Sequence, residues 1–335
     1  MLNIGIIGSG FGLYGLLPAF YTLKNCQVVA VCATHPQRIK KYVYSRGLTN
    51  IYSNWRHMLA KEKLDVLAIA VTPKAQYEIA KVAIPKGIHI FAEKPLADTY
   101  NHAKHLYKLA KRYHITHAVD FIFPEIDTWR EIKKLLDDEK YGKLTFVSVN
   151  WDFLSYDIQN QISSWKTDAT QGGGALTFYF CHVLYYLEYF AGEIVDLKSN
   201  LVHSKKSVRG ADVGADLLFR FSNNIRGSAH ISCNTIGLNR HQLIFLCEKA
   251  TIILENKNSF VRNFKIKIYT DSGKKSTIIK KGAQADNEKA RVDLVKKIAK
   301  RFIRACRNKQ QMKPSFVQGV RVAQLIESIR AKEVW

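Results

Sequence analysis

The chain has 335 residues, 47% of them apolar and 24% charged. That balance excludes a disordered protein, and the length exceeds what one hydrophobic core usually serves, so two domains are expected. A formal net charge of +23 points to phosphates, acidic sugars, nucleic acid or anionic lipid as candidate partners, while six singly scattered cysteines with no C-x-x-C pair exclude a disulfide scaffold and a metal-ligand framework.

The first third alternates short apolar runs with helix-like stretches, the pattern of a parallel sheet wrapped by helices. Strands are predicted at residues 2–8, 27–33, 65–71, 88–93 and 115–121, with helices at 13–23, 36–46, 75–87 and 100–113 between them. These make an N-terminal α/β domain over 1–121, a doubly wound parallel sheet of the Rossmann kind. A helix is predicted at 124–138, where Ile126, Trp129, Ile132, Leu135 and Leu136 recur at helical spacing. After Gly142 long strand-like runs dominate, at 143–154, 195–204, 215–222, 226–234, 241–255 and 264–270. Residues 122–335 therefore read as a C-terminal α+β domain with a large open, mostly antiparallel sheet. Residues 175–192 are apolar nearly all round and read as a buried helix, and helices at about 287–306 and 315–331 close the chain.

Residues 257–313 hold 18 Lys or Arg against four acids. No stacking aromatics interleave with them, so the stretch reads as a solvated basic surface, with nucleic acid as a disfavoured partner. No apolar run spans a bilayer and the N-terminus has no basic leader, so a cytoplasmic protein with reduced, mostly buried thiols and no membrane attachment is expected.

Gly8-Ser9-Gly10 follows a predicted strand and precedes a helix, the context in which a glycine-rich turn cradles a dinucleotide pyrophosphate. The third glycine of G-x-G-x-x-G is replaced by Leu13, and Gly12 and Gly15 are candidates to relieve the approach of helix to strand. A glycine-rich structural turn is the alternative. The second strand ends in Ala33 and Thr34, with no carboxylate to hold ribose hydroxyls; Thr34 and Arg38 could receive a 2′-phosphate, which favours NADP over NAD. Glu93, Lys94 and Pro95 fall at the carboxyl end of the fourth predicted strand, the edge where open α/β sheets hold ligands.

The segments "GSGFGLYGLLPAF", "VTPKAQYEIAKVAIPKGIHIFAEKPLA", "YGKLTFVSV" and "GGGALTFYFCHVLYYL", in this order over essentially the whole chain, resemble the family of glucose-fructose oxidoreductase, inositol dehydrogenase and rhizopine-catabolism proteins, Gfo/Idh/MocA. The resemblance implies a Rossmann domain, an open-faced α+β domain, a nicotinamide cofactor and a sugar or cyclitol substrate. It implies Lys94 as a catalytic or substrate-orienting group and Thr72-Pro73 as part of the cofactor site. Gly8, Ser9, Gly10, Phe11, Gly12, Leu13, Thr34, Arg38, Glu93 and Lys94 complete the candidate cofactor set. A homodimer or homotetramer built through the exposed sheet is also implied.

The family's second glycine-rich segment maps onto Gly172 to His182 and leaves His182 as its surviving histidine. The usual aspartate one turn earlier is Phe178, the intervening glycine is Phe180 and a later aspartate is Tyr185. Lys94 and His182 are then the expected proton-handling pair, with Tyr179 or another tyrosine assisting, and a satisfied core histidine is the alternative for His182. Trp165 and Lys166 match a Trp-Arg segment of the family, placing Trp165 to stack on a sugar face and Lys166 to meet an anionic group. The expected activity is hydride transfer between nicotinamide and a sugar hydroxyl or ketone, the sugar being nucleotide-linked or otherwise anionic; the alternative is an NADP-binding sensor or assembly protein that has lost turnover with its aspartate.

Overall fold

The computed structural model describes residues 1–205, 207, 209–273, 275–279 and 287–332. Positions 274 and 280–286 of the basic stretch, and 333–335 at the end of the predicted second domain, lie outside the described residues.

Six short apolar strands, β1 (Leu2–Ile7), β2 (Cys26–Cys32), β3 (Ile51–Tyr52), β4 (Val66–Ile69), β5 (His89–Ala92) and β6 (His117–Val119), form a parallel sheet in the order β3-β2-β1-β4-β5-β6. All residues of β4 and β6 are buried, as a sheet covered on both faces requires. Parallel neighbours need crossovers, and each crossover carries a helix: α1 (Leu17–Tyr21), α2 (Pro36–Tyr44), α3 (Trp55–Lys61), α4 (Pro73–Ala83) and α5 (Tyr100–Arg112). β3 and α3 had no counterpart among the predicted elements, because two strand residues carry no readable period. The strand order reverses between β1 and β4, which marks the carboxyl edge there as the ligand edge.

The remaining strands belong to a second sheet, covered by α6 (Asp127–Asp137) and α8 (Cys181–Ala191), with α7 (Tyr156–Gln159) in a connection. Its strands are β7 (Leu144–Asp152), β8 (Ile194–Val202), β9 (Gly214–Phe221), β10 (Arg226–Ser232), β11 (Arg240–Cys247), β12 (Ala250–Lys257), β13 (Lys265–Thr270) and β14 (Lys275–Ile279). The order is β14-β13-β12-β11-β7-β10-β9-β8, antiparallel throughout except for the parallel pair β7 and β10. In β9, Ala215, Leu217, Phe219 and Phe221 are buried while Asp216, Leu218 and Arg220 are exposed, the period-two pattern of a sheet with one covered face. The run 241–255, expected as one strand, is a hairpin: Cys247 pairs with Ala250 around a Glu248-Lys249 turn. The predicted helix over 175–192 opens with a π turn, Leu176–Phe180, before α8 begins.

The chain closes with α9 (Asn287–Arg307) and α10 (Phe316–Ala331). By packing it forms two compact units, Met1–Ile122 with Glu288–Ala323, and Phe123–Asn287 with Gln324–Trp335. In the first unit, α9 sets Phe302 edge-on to Phe91 of β5, ring centroids 5.6 Å apart. All six cysteines are free; five are buried and Cys247 is half-buried. Among the described residues no helix is long and apolar enough to cross a membrane.

Candidate active site

Gly8 follows β1 with φ at +131°, and its N–H donates to the Cys32 carbonyl at the end of β2 (2.9 Å). A Cβ at Gly8 would stand 2.1 Å from the Ala70 carbonyl oxygen, so only glycine lets the chain turn here beside β4. Gly10, in contrast, has nothing within 4 Å of where its Cβ would be, and both Ser9 and Gly10 are exposed. Leu13, in the place of the third glycine, is fully buried, so only its backbone remains for a ligand. The close approach of helix to strand passes to Gly12, whose Cβ would meet the Ile7 carbonyl oxygen at 3.3 Å. Gly15 does something different from what was expected of it: it makes room for the Phe11 ring, whose carbons would lie 2.4 Å from a Cβ there. The Leu13 and Tyr14 N–H groups both donate to the Gly10 carbonyl (2.9 and 3.2 Å), so what the turn offers a pyrophosphate is its exposed Ser9-Gly10 stretch and the positive end of the following helix.

Along the same edge, Thr34 and Arg38 are exposed at the start of α2, whose first turn has no acidic side chain. Thr72 is the N-cap of α4, with Pro73 at its first position. The structure thus gathers Gly8, Ser9, Gly10, Phe11, Gly12, Leu13, Thr34, Arg38, Thr72, Pro73, Glu93 and Lys94 in one unit, at the carboxyl ends of β1, β2, β4 and β5.

Glu93-Lys94-Pro95 is held by a residue the sequence did not single out. Gln76 of α4 is 1% exposed, and its Nε2 donates to the carbonyls of Glu93 (2.7 Å), Leu96 (3.0 Å) and Pro95 (3.1 Å) while its Oε1 accepts from the Glu93 N–H (3.0 Å). A glutamine in a helix reads as surface until its partners, some 20 residues away, are known. The peptide between Lys94 and Pro95 is cis, and Lys94 is half-buried.

Asp120, also unmarked in the sequence reading, lies just past β6, its N–H on the Ala92 carbonyl (2.9 Å) and its side chain 2% exposed. Burial first, then the charge and hydrogen bond of Glu93, push its carboxyl well above the usual carboxylate range, against the opposing pull of Arg291 and Lys94. The native state therefore holds a proton that the unfolded chain releases above the ordinary carboxylate pKa, so this group's stabilisation is lost as pH rises through its native pKa. Asp120→Asn is expected to flatten the fall of folding stability toward alkaline pH. Urea denaturation of wild type and variant across a pH series checks this; parallel curves would exonerate Asp120.

In the second unit the glycine run is a packing device. A Cβ on Gly173 would lie 2.1 Å from the Trp165 carbonyl oxygen, and one on Gly174, φ +118°, 1.9 Å from Asp212 Oδ1. Asp212 caps the helix start, its Oδ2 accepting from the Leu176 N–H (2.7 Å), and burial raises its pKa. Phe178 sets its ring edge-on to Trp165 (5.6 Å) and Tyr179 (4.7 Å), and Lys166 Nζ lies 4.6 Å from its centroid. Lys166 also pairs with Asp157 (3.6 Å), so its charge is already matched within the chain. A small hollow is lined by Ser155, Asp157, Lys166, Phe178, Tyr179 and Asp212 among others.

His182 is 3% exposed and edge-on to Phe123 (5.1 Å), a ring that also meets Trp151, Tyr186 and His241. The structure thus brings Trp165, Lys166, Phe178 and Tyr179 together and sets His182 against the aromatic core. Helical i,i+4 logic, which placed positions 178 and 182 on one face, does not carry through the i→i+5 bonding of the π turn. In that core, burial pushes His241 down to about 3, leaving a neutral ring that hydrogen-bonds the Tyr186 hydroxyl (2.9 Å).

Two family profiles match in tandem: one described as "Oxidoreductase family, NAD-binding Rossmann fold" over residues 2–121, and the "GFO/IDH/MocA C-terminal domain" over residues 129–253. The chain belongs to the Gfo/Idh/MocA family. It is an oxidoreductase with a fold for a nicotinamide dinucleotide. Among Gfo/Idh/MocA relatives, an uncharacterized oxidoreductase of Synechocystis is 27% identical over 279 residues, covering 79% of this chain and 75% of its own. The levoglucosan dehydrogenase of Pseudarthrobacter phenanthrenivorans is 27% identical over 271 residues, covering 72% and 70%. A solved levoglucosan dehydrogenase, in complex with NADH and L-sorbose, superposes with a TM-score of 0.84 at 21% identity, covering 99% of this chain and 96% of that one, a likeness of fold.

Proposed function

We propose that the protein is an NADP(H)-preferring dehydrogenase or reductase of a sugar or sugar derivative in which Lys94 moves the substrate proton. The observation that carries this is the Glu93-Lys94-Pro95 turn, clamped by Gln76 on the same sheet edge as the Gly8 to Gly12 cradle. When bound, the nicotinamide supplies the hydride acceptor or donor. Gly8 to Gly12 receive the pyrophosphate, and Thr72 and Pro73 line the dinucleotide. Lys94 Nζ takes the hydroxyl proton during oxidation or returns one to the oxygen during ketone reduction. Within the second unit Trp165 and Tyr179 offer aromatic surface that suits a sugar face, while His182, packed edge-on to Phe123, takes the place of a core histidine.

Because Asp157 already matches the charge of Lys166, a neutral, hydroxyl-rich sugar fits this side chain better than the anionic or nucleotide-linked sugar that net charge alone suggested. The levoglucosan dehydrogenase relative supports the same choice. Turnover of neutral sugars and of sugar nucleotides, each with NADP and NAD, tests the reading; a strict requirement for an anionic sugar would sink the neutral-substrate part. Cytoplasmic location and assembly as a homodimer or homotetramer, through the sheet face that leaves Leu218 60% exposed, belong to the same proposal.

Exposed Thr34 and Arg38, beside a helix start without an acid, support NADP. Arg38→Ala is expected to weaken NADP binding by about tenfold while leaving NAD within about twofold, read by titrating each cofactor against tryptophan fluorescence. An unchanged NADP-to-NAD ratio would refute the assignment.

A second reading, cofactor binding without turnover, is favoured by Phe178, which fills with an aromatic ring the place where the family carries an aspartate. Tight dinucleotide binding with no turnover across both sugar panels is the outcome that would establish it.

A further inference from the structure

The C-terminal helix α9 returns to the first unit and brings a cation to the glycine turn. The guanidinium carbon of Arg291 lies 4.5 Å from the centroid of the Phe11 ring. Gly15 leaves room for the same ring, whose carbons lie 2.4 Å from a would-be Cβ there. Phe11 is therefore a plate that packs on Gly15 and carries Arg291. It belongs to the turn that starts at Gly8, and its own residue is the N-cap of the π turn Gly12–Leu16. The Arg291 charge is also felt by the Asp120 carboxyl past β6. The nearby charges are Glu93, Lys94 and Asp120 on the sheet edge, and Glu288, one turn earlier on α9, whose charge acts on Tyr42.

A guanidinium stacked on an aromatic plate is restrained in orientation, loses less freedom on binding an anion, and presents N–H donors edge-on, the geometry that suits phosphate oxygens. Gly10, the residue before Phe11, has open space where its Cβ would be.

We infer that Arg291, stacked on the Phe11–Gly15 plate, is a cofactor-binding residue that closes the dinucleotide pyrophosphate against the glycine turn from the C-terminal side. The inference rests on the dinucleotide reading of that turn. It makes part of the cofactor site the property of residues 288–323 rather than of the N-terminal segment alone, and it ties two otherwise unexplained residues, Phe11 and Gly15, to one task.

The test is binding, not turnover. NADPH, NADH and ADP-ribose are titrated by calorimetry into wild type, Arg291→Met, Arg291→Lys and Phe11→Leu, each checked for an unchanged melting temperature. Arg291→Met keeps the side-chain stem over Phe11 and removes the charge; it is expected to weaken all three ligands by about 10- to 100-fold and to reduce the salt dependence of binding. Arg291→Lys is expected to recover part of the loss, and Phe11→Leu to weaken binding less, through loss of the plate. Unchanged affinity for ADP-ribose in Arg291→Met, with wild type binding normally, overturns the inference and leaves the dinucleotide reading intact. Failure of wild type to bind any of the three overturns that reading and this one with it.

Discussion

Lys94→Met is expected to lower turnover by about 10²- to 10⁴-fold while NADP affinity stays within about threefold, because general acid–base transfer contributes on that scale and the cradle proposed for the dinucleotide lies elsewhere on the edge. The half-buried lysine sits on a turn whose carbonyls are fixed by Gln76, so the substitution leaves the backbone supports in place. Steady-state kinetics beside a fluorescence titration separate the two effects. A variant that keeps most of its turnover would remove Lys94 from the proton path. A variant that loses binding and turnover together would make Lys94 a holder of cofactor.

The second large effect concerns the glycine turn, where neighbouring glycines are expected to fail differently. Gly8→Ala forces a Cβ into the Ala70 carbonyl at a backbone angle that L side chains rarely adopt, and is expected to cost about 2–4 kcal/mol, lowering the melting temperature by several degrees and abolishing dinucleotide binding. Gly10→Ala meets nothing within 4 Å, so its melting temperature should match wild type while NADPH binding weakens, since the new methyl occupies space a pyrophosphate would use. Thermal melts and titrations on the pair give the answer. Equal loss of stability in both would mean the turn is structural throughout, and unimpaired binding in Gly10→Ala would mean the anion does not approach there.

Much of this was legible from residues because the first sheet is made of buried apolar runs punctuated by helix signals, and parallel strands admit few alternatives. The chemistry-bearing turns were also legible: Gly8-Ser9-Gly10 and Glu93-Lys94-Pro95 stand at strand ends, where the pattern itself breaks. What escaped has a common cause. Gln76, Asp120 and Asp212 act through partners distant in sequence, and a lone amide or carboxyl carries no sign that it is buried. The hairpin over 241–255 escaped because its turn is Glu248-Lys249, without the glycine or asparagine that usually betrays one. The π turn ahead of α8 escaped because apolar residues on every side hide a change of helical phase.

The thiols have a use that follows from where they lie. Cys26, Cys32 and Cys306 belong to one compact unit; Cys181, Cys233 and Cys247 belong to the other. Burial pushes Cys26, Cys32 and Cys247 up to about 11 and Cys233 and Cys306 up to about 12, so these five present almost no thiolate to an alkylating reagent, and Cys181 is buried. Each becomes reactive chiefly when its own surroundings open. Pulse alkylation followed by peptide mass spectrometry would then clock the breathing of the two halves separately, with three native reporters in each and no engineered label.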